Sequence, residues 1–370
     1  MGKRHGIGRW VAALTLLLAA CTSSAAPSAP APAKLPATSA PAAQAPAAQA
    51  PAQPAAAAAS PAAQAPAAPS APAAPVKVEA AYSAPSGAQM VILLAEHAGL
   101  FRERGLDVNL TLLQGERAIQ SLVAGQVAFA TIPGGQLVNA AVGGAPVVAV
   151  AQEMDTVGMA IHASPSVRDV AGLRGKRIGI TVSGTLTDLV ARVIARQAGL
   201  HVGDDVVLVN VGSVADLPPA LSAGAVDAAV LSMPASLQAD RLGFPAVVDV
   251  ATLGPLAAII HTALASRRPY LDEQPDAARR FVDAYAAAVR RAREDPATAQ
   301  AALTKWLQID DPALAEATYQ AYVRILKDPP VTDPAAWRAL LDVMAEVPDM
   351  NPAVPTTDPA SLVDARFVPR

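Results

Sequence analysis

The chain has 370 residues, with 28 Lys and Arg against 31 Asp and Glu, 34 Pro and a single Cys. Its length accommodates two domain-sized cores, and one cysteine excludes both an internal disulfide and a cysteine-rich zinc site. All the acidic residues and 24 of the basic ones follow position 75, so this region has a net charge of −7 and no Lys/Arg-rich run, which excludes the electrostatic footprint of a nucleic-acid binder.

In chain order, Lys3, Arg4, His5 and Arg9 form a basic start, followed by an apolar run at 10–18. That run is about half the ~20 residues needed to span a bilayer, and no later apolar segment is long and uniform enough to do so. Leu18-Ala19-Ala20 then precedes the sole cysteine, Cys21. Two small residues before a cysteine at the end of an export signal resemble the lipobox of bacterial lipoproteins, which implies lipidation at Cys21. The alternative is an ordinary signal peptide cleaved nearby. Residues 22–75 hold 13 Pro, 27 Ala and one charge, Lys34. With no aromatic residue and no periodic apolar pattern, this stretch cannot bury enough surface to fold, and it reads as a disordered linker or stalk.

From residue 76 onward helix and strand periods alternate, as in an α/β sheet protein. Strands are expected at 76–81, 107–113, 127–132 and 177–181, with another at 206–211. Helices are expected at 88–98 and 117–124, ending at Gly99 and Gly125. Residues 146–151 and 257–264 are further apolar runs. Beyond residue 269, segments 276–293, 296–307 and 333–346 read as amphipathic helices, each opened by Asp or Pro. The last dozen residues have no clear pattern.

The same local words recur about a hundred residues apart. Ser86-Gly87 is echoed by Ser183-Gly184, Ala98-Gly99-Leu100 by Ala198-Gly199-Leu200, and the segment from Leu122 to Pro133 by that from Leu221 to Pro234. Three matches in order, at helix and strand ends, point to two lobes of similar construction.

Catalytic machinery is hard to find. The five histidines lack the spacing that would set two metal ligands on one helix face, so no metal or cofactor is expected. His97, near a helix C-terminus, reads as a cation or a simple surface histidine. Gly172-Leu173-Arg174-Gly175-Lys176 precedes a strand and reads as a turn rather than a phosphate loop. The informative features are two helix entrances, Tyr82-Ser83-Ala84-Pro85-Ser86-Gly87 and Thr181-Val182-Ser183-Gly184-Thr185, the latter with Thr185 and Asp188 spaced as a capping pair. Glycine permits close backbone approach there, and exposed N–H groups favour an anionic or polar ligand. The expected ligand-binding residues are Tyr82, Ser86, Gly87, Thr131, Pro133, Gly134, Ser183, Gly184, Thr185, Met233 and Pro234, with backbone N–H groups doing much of the holding.

Gly99-Leu100-Phe101-Arg102-Glu103-Arg104-Gly105-Leu106-Asp107-Val108, Leu173-Arg174-Gly175-Lys176-Arg177-Ile178-Gly179 and the helix–glycine–strand segment 220–230 resemble solute-binding proteins of ABC importers, of the nitrate/sulfonate/taurine and thiamine-pyrimidine-precursor type. The resemblance covers about residues 76–307. It implies a two-lobed, periplasmic-binding-protein-like α/β fold of type II, with crossover strands near 158–162 and 257–264 and with C-terminal helices. The expected organisation is a signal peptide at 1–21, a linker at 22–75, lobe 1 at 76–160 plus 257–370, and lobe 2 at 161–256. Ala128 stands where the family usually has aspartate, which removes a polar side chain on the cleft side of lobe 1. The implied protein is not an enzyme. It is a monomeric, extracytoplasmic lipoprotein, periplasmic or at the cell surface, that carries a small organic ligand to a membrane permease. A receptor serving a membrane sensor and an exported enzyme are the other readings.

Overall fold

The computed structural model describes residues 74–154, 156–254, 259–347 and 351–368. The export signal, Cys21 and the Ala/Pro linker lie outside the described residues. The first half of the fold comprises β1 (Val76–Tyr82), α1 (Met90–His97), α2 (Leu100–Glu103), β2 (Leu106–Leu112), α3 (Glu116–Val123), β3 (Phe129–Ile132), α4 (Gly134–Val142) and β4 (Val147–Ala151). The second comprises β5 (Met159–Ala163), β6 (Arg177–Ile180), α5 (Leu186–Gln197), β7 (Val207–Asn210), α6 (Leu217–Ser222), β8 (Ala228–Ser232), α7 (Ala235–Arg241) and β9 (Ala246–Asp249). Then follow β10 (Ala263–Arg267), α8 (Arg268–Glu273), α9 (Pro275–Glu294), α10 (Pro296–Leu307), α11 (Pro312–Val323) and α12 (Pro334–Ala345).

Two five-stranded sheets result, ordered β2-β1-β3-β10-β4 and β7-β6-β8-β5-β9. The orders are equivalent: in each, three parallel strands are followed by one antiparallel strand, β10 or β5, and a fifth. β1, β2 and β3 begin about a hundred residues before β6, β7 and β8, matching the recurrence in the sequence. The expected crossovers near 158–162 and 257–264 overlap the two connections between the sheets and run on into β5 and β10. Met159–Ala163 and Ala263–Arg267 are the antiparallel strands themselves, and the connections between the sheets run at 152–158 and 250–262, of which 155 and 255–258 lie outside the described residues. A strand buried on both faces and a crossover leave the same unbroken apolar run in a sequence.

The pleat of β1 divides the core. Val78, Ala80 and Tyr82 face α1 and α9 with Phe101, Phe129 and Phe281, whereas Ala81 faces the opposite layer with Ile119, Ile132 and Trp337. Phe129 stacks on Phe281 with ring centroids 4.0 Å apart. The C-terminal helices start as their Asp-Pro pairs dictate. Asp295, Asp311 and Asp333 accept from the N–H groups of Thr298, Ala313 and Ala335, while the following proline fills the first helical position. α4, α7, α8 and α11 are additions to the expected elements, as is the strand β9. The tail is also structured: Phe367 is buried, and Arg366 bridges Asp272 and Asp364. Burial and then nearby Lys305 lower the pKa of His97, which works against the expected cation. Gly172–Lys176 is a turn, as expected, with the Lys176 N–H donating to Leu173 O at 2.9 Å.

Candidate functional site

The C-terminal ends of the parallel strands in both sheets converge on one cleft with a free volume of about 60 Å³. The first sheet supplies Ser83–Ser86 and Gln89 after β1, Gln114-Gly115 after β2, and Pro133 and Gln136 after β3. The second supplies Thr181 and Thr185–Thr187 after β6, Gly212–Val214 after β7, and Ser232 at the end of β8. His261-Thr262, from the second connection, closes the floor.

Of the residues expected from the sequence, Ser86, Pro133 and Thr185 line this cleft. Gly184 lines an adjoining cavity of about 250 Å³ with Asn139, Asp188, Arg192 and Met344. The others stand behind the wall or outside it. Tyr82 is buried edge-on to Trp306, with ring centroids 5.9 Å apart. The Thr131 hydroxyl donates to Gln89 Oε1 and so orients a lining amide. Gly87 is buried against Tyr322 and Thr318, where a Cβ would approach both to 2.5 Å. Gly134 is likewise packed, against Leu340 and Ile260. Met233 and Pro234 follow β8, and Gly87 N–H donates to Met233 O at 3.1 Å, joining the two lobes. Ser183 is exposed, and its hydroxyl donates to Asn210 Oδ1 at 3.2 Å, on the edge strand and not toward the cleft.

The expected role of the backbone amides also changes. Gly87 N–H is bound to Met233 O, Ala88 N–H to Ser86 Oγ (3.3 Å), and Gly134 N–H to Ile260 O (3.3 Å). In lobe 2, Asp188 Oδ2 accepts from Gly184 N–H at 2.8 Å, so the positive end of α5 already holds a carboxylate. Thr185 does not complete a reciprocal capping pair; its hydroxyl turns back to Val182 O at 2.6 Å. These four backbone donors are occupied inside the fold.

The cleft-lining side chains are uncharged. The described lining residues include no Lys, Arg, Asp or Glu. His261 is the titratable member, and burial pushes its pKa down to about 4. Its Nδ1 accepts from Gly158 N–H at 3.2 Å, which places the proton of the neutral ring on Nε2. Thr181, Thr185 and Thr187 share a hydroxyl triangle with 2.8–3.0 Å edges. Across the cleft Ser86 Oγ meets Ser232 Oγ at 3.1 Å, tying the lobes together, and on its own side it meets Tyr322 Oη at 3.3 Å. Just outside, Glu116 Oε1 accepts from Gln136 Nε2 at 3.0 Å.

Ala128 is not at the cleft. It precedes β3, at the end opposite Pro133, and its N–H donates to Glu79 O at 2.8 Å. Its counterpart before β8, Asp227, ties the starts of β6 and β8 through Arg177 (3.0 and 3.1 Å), a structural role remote from the cleft.

Sequence reasoning missed Gln89, Gln114, Gln136, Gly212-Ser213, Ser232 and His261-Thr262. A signal existed for most of them. Gln89 and Gln136 are polar interruptions next to apolar helical runs, His261-Thr262 interrupts another, and Gly212-Ser213 is the counterpart in the second sheet of Gln114-Gly115.

Two sheets of one plan, crossed twice by the chain and meeting at a polar cleft, define the two-lobed binding-protein fold. A protein from Bordetella bronchiseptica RB50 has this fold (TM-score 0.69, 23% identity, 79% of this chain and 95% of that one). So do the periplasmic aliphatic sulphonate binding protein SsuA of Escherichia coli (0.64, 18%, 78% and 92%) and the periplasmic nitrate-binding protein NrtA of Synechocystis PCC 6803 (0.54, 15%, 67% and 69%). No curated protein sequence matches the chain significantly. The NMT1/THI5-like family profile matches residues 88–299, more than half of the chain, and the protein belongs to that family.

Proposed function

We propose that this protein is the extracytoplasmic solute-binding component of an ABC importer, a non-enzymatic monomer tethered through a lipidated Cys21, with residues 22–75 as a stalk. The observation that carries the reading is the cleft itself: strand ends from two equivalent sheets face each other, and two connections, at 152–158 and 250–262, join the lobes. Such a body changes its opening by bending at the connections, and a ligand that touches both lobes favours the closed arrangement. Among the described residues no helix is long and apolar enough to cross a membrane. The proposed lobes are the units built on the two sheets, lobe 1 including the C-terminal helices, and the site is the set of cleft-lining side chains together with Tyr82, Gly87, Thr131, Gly134, Ser183, Gly184, Met233 and Pro234 as its support. Small-angle scattering tests the proposal. Protein stripped by unfolding and refolding should contract when the small molecule recovered from the native preparation is returned, and an unchanged radius of gyration at saturating binding would count against it.

A further inference from the structure

Among the described residues that line the cleft, one buried side-chain oxygen has no hydrogen-bond partner. Gln136 is 4% exposed and lines the cleft, and its Oε1 has no hydrogen-bond partner. The orientation of this amide is set by chemistry. Its Nε2 faces Glu116 Oε1 at 3.0 Å, and a carboxylate can only accept, so the NH₂ must point there and the carbonyl oxygen is the end of this cleft-lining amide left without a partner. A buried carbonyl oxygen left unsatisfied costs free energy, so the matching ligand carries an N–H or O–H donor at this point.

The surroundings argue against a negative charge in the same place. No lining side chain is cationic, and His261 is held neutral. The amides of Gly87, Ala88 and Gly184 at the two helix entrances are bound to Met233, Ser86 and Asp188. A Cβ on Gly184 would lie 3.6 Å from Glu116 Oε1, which puts a carboxylate of lobe 1 beside the α5 entrance of lobe 2. An anion would thus be desolvated without a counter-charge and within the field of two carboxylates. The sulphonate and nitrate named for two structural neighbours are acceptor-only anions, which fit neither Gln136 nor this field.

Resting on the solute-receptor reading above, we infer that the cleft takes an uncharged, donor-bearing polar group, such as a carboxamide, sulfonamide or alcohol, presented to Gln136 Oε1, and rejects anionic headgroups of similar shape.

Matched pairs test this: methanesulfonamide against methanesulfonate, and acetamide against acetate, titrated by calorimetry into the full chain in mild detergent. Native mass spectrometry of the same preparation weighs any co-purified molecule. The neutral member of a pair should bind about tenfold or more tightly than its anion. Gln136→Leu should erase most of that preference, and Glu116→Gln, which keeps the lining amide, should narrow it by admitting the anion. Should Gln136→Leu fail to fold, Glu116→Gln alone decides the point. Saturable binding of the sulfonate or acetate as tight as that of its amide would overturn the inference while leaving the receptor reading intact. Folded protein that binds no probe and carries no small molecule would overturn the receptor reading, and the inference with it.

Discussion

Glu153 and His261, one in each connection between the lobes, should set the pH dependence of stability with opposite signs. Glu153 is wholly buried; its Oε1 accepts from the Thr262 hydroxyl at 2.9 Å, and its main-chain oxygen accepts from Lys327 N–H. Burial raises its carboxyl from the ordinary 4.5 to about 7, against the opposing pull of hydrogen bonds from the backbone, Thr262 and Tyr285. Between those values the folded protein keeps a proton that the unfolded chain has released, so stability falls as pH rises. At about 1.4 kcal/mol per pH step, the loss reaches about 3 kcal/mol above pH 7. Burial lowers His261 from 6.5 to about 4, so the unfolded chain gains its proton first, and stability rises with pH by about 3 kcal/mol over that window. The two slopes overlap from 4.5 to 6.5 and nearly cancel, leaving a flat profile that drops toward pH 7.

Glu153→Gln removes one slope with little change in volume. Relative to wild type, it should gain little near pH 4, about 2 kcal/mol at pH 6 and about 3 kcal/mol above pH 7, on top of any constant offset from its altered hydrogen bonding. Urea unfolding followed by circular dichroism at four pH values between 4.5 and 7.5 reads this directly. His261→Gln should show the reverse, a stability falling across the same range. A difference between Glu153→Gln and wild type that does not vary with pH would refute the reasoning.

Gly87→Ala drives a Cβ to 2.5 Å from Thr318 and from the buried Tyr322 ring, and should cost about 2–3 kcal/mol in urea unfolding, against about 1 kcal/mol for Gly144→Ala, which meets nothing but adopts φ +91. Ser232→Ala deletes the cross-lobe partner of Ser86 and should shift the open–closed balance toward open by about 1 kcal/mol, visible as a larger radius of gyration of the stripped protein. Cys21→Ser should release the protein from detergent-free membrane fractions or leave it unprocessed, and equal membrane association of both forms would contradict the lipid anchor.

What the sequence showed most clearly were features set by local chemistry. Asp-Pro pairs announced α10 and α12 because the cap and the fixed proline φ act within one turn. The recurrence of Ala-Gly-Leu and of Leu-x-Ala-Gly exposed the duplicated lobes, since each glycine ends a helix in the left-handed conformation: Gly99, Gly125, Gly199 and Gly224 all have positive φ. α4 escaped because it opens with Gly134-Gly135, poor helix formers that pay off only in close packing against Ile260, Leu340 and Leu189. In the cleft, Ser86, Pro133 and Thr185 were legible as parts of helix entrances. Their neighbours were not, because the outward turn of Ser183 and the pairing of Gln136 with Glu116 depend on contacts between distant segments, and Asp188, four residues on, grips Gly184 in place of the expected pairing with Thr185.

The duplication also explains how the cleft divides its labour. Equivalent loops in the two lobes have acquired different chemistry: Gln89, Gln114 and Gln136 come from the first sheet beside the hydroxyls of Ser83 and Ser86, whereas the second contributes hydroxyls alone as its polar side chains, Thr181, Thr185, Thr187, Ser213 and Ser232. An amide has a distinct donor end and acceptor end, and the carboxylate of Glu116 fixes which end of Gln136 faces it. A hydroxyl rotates to donate or accept as its partner requires. Fixed polarity therefore lies on lobe 1, which also carries the C-terminal helices that brace it, and the polar side chains that lobe 2 brings to the cleft are all adaptable. Under the proposed function lobe 1 orients the ligand and lobe 2 conforms to it on closing, so substitutions at Gln89 or Gln136 should alter which ligands bind, while those at Thr187 or Ser213 should alter how tightly they are held.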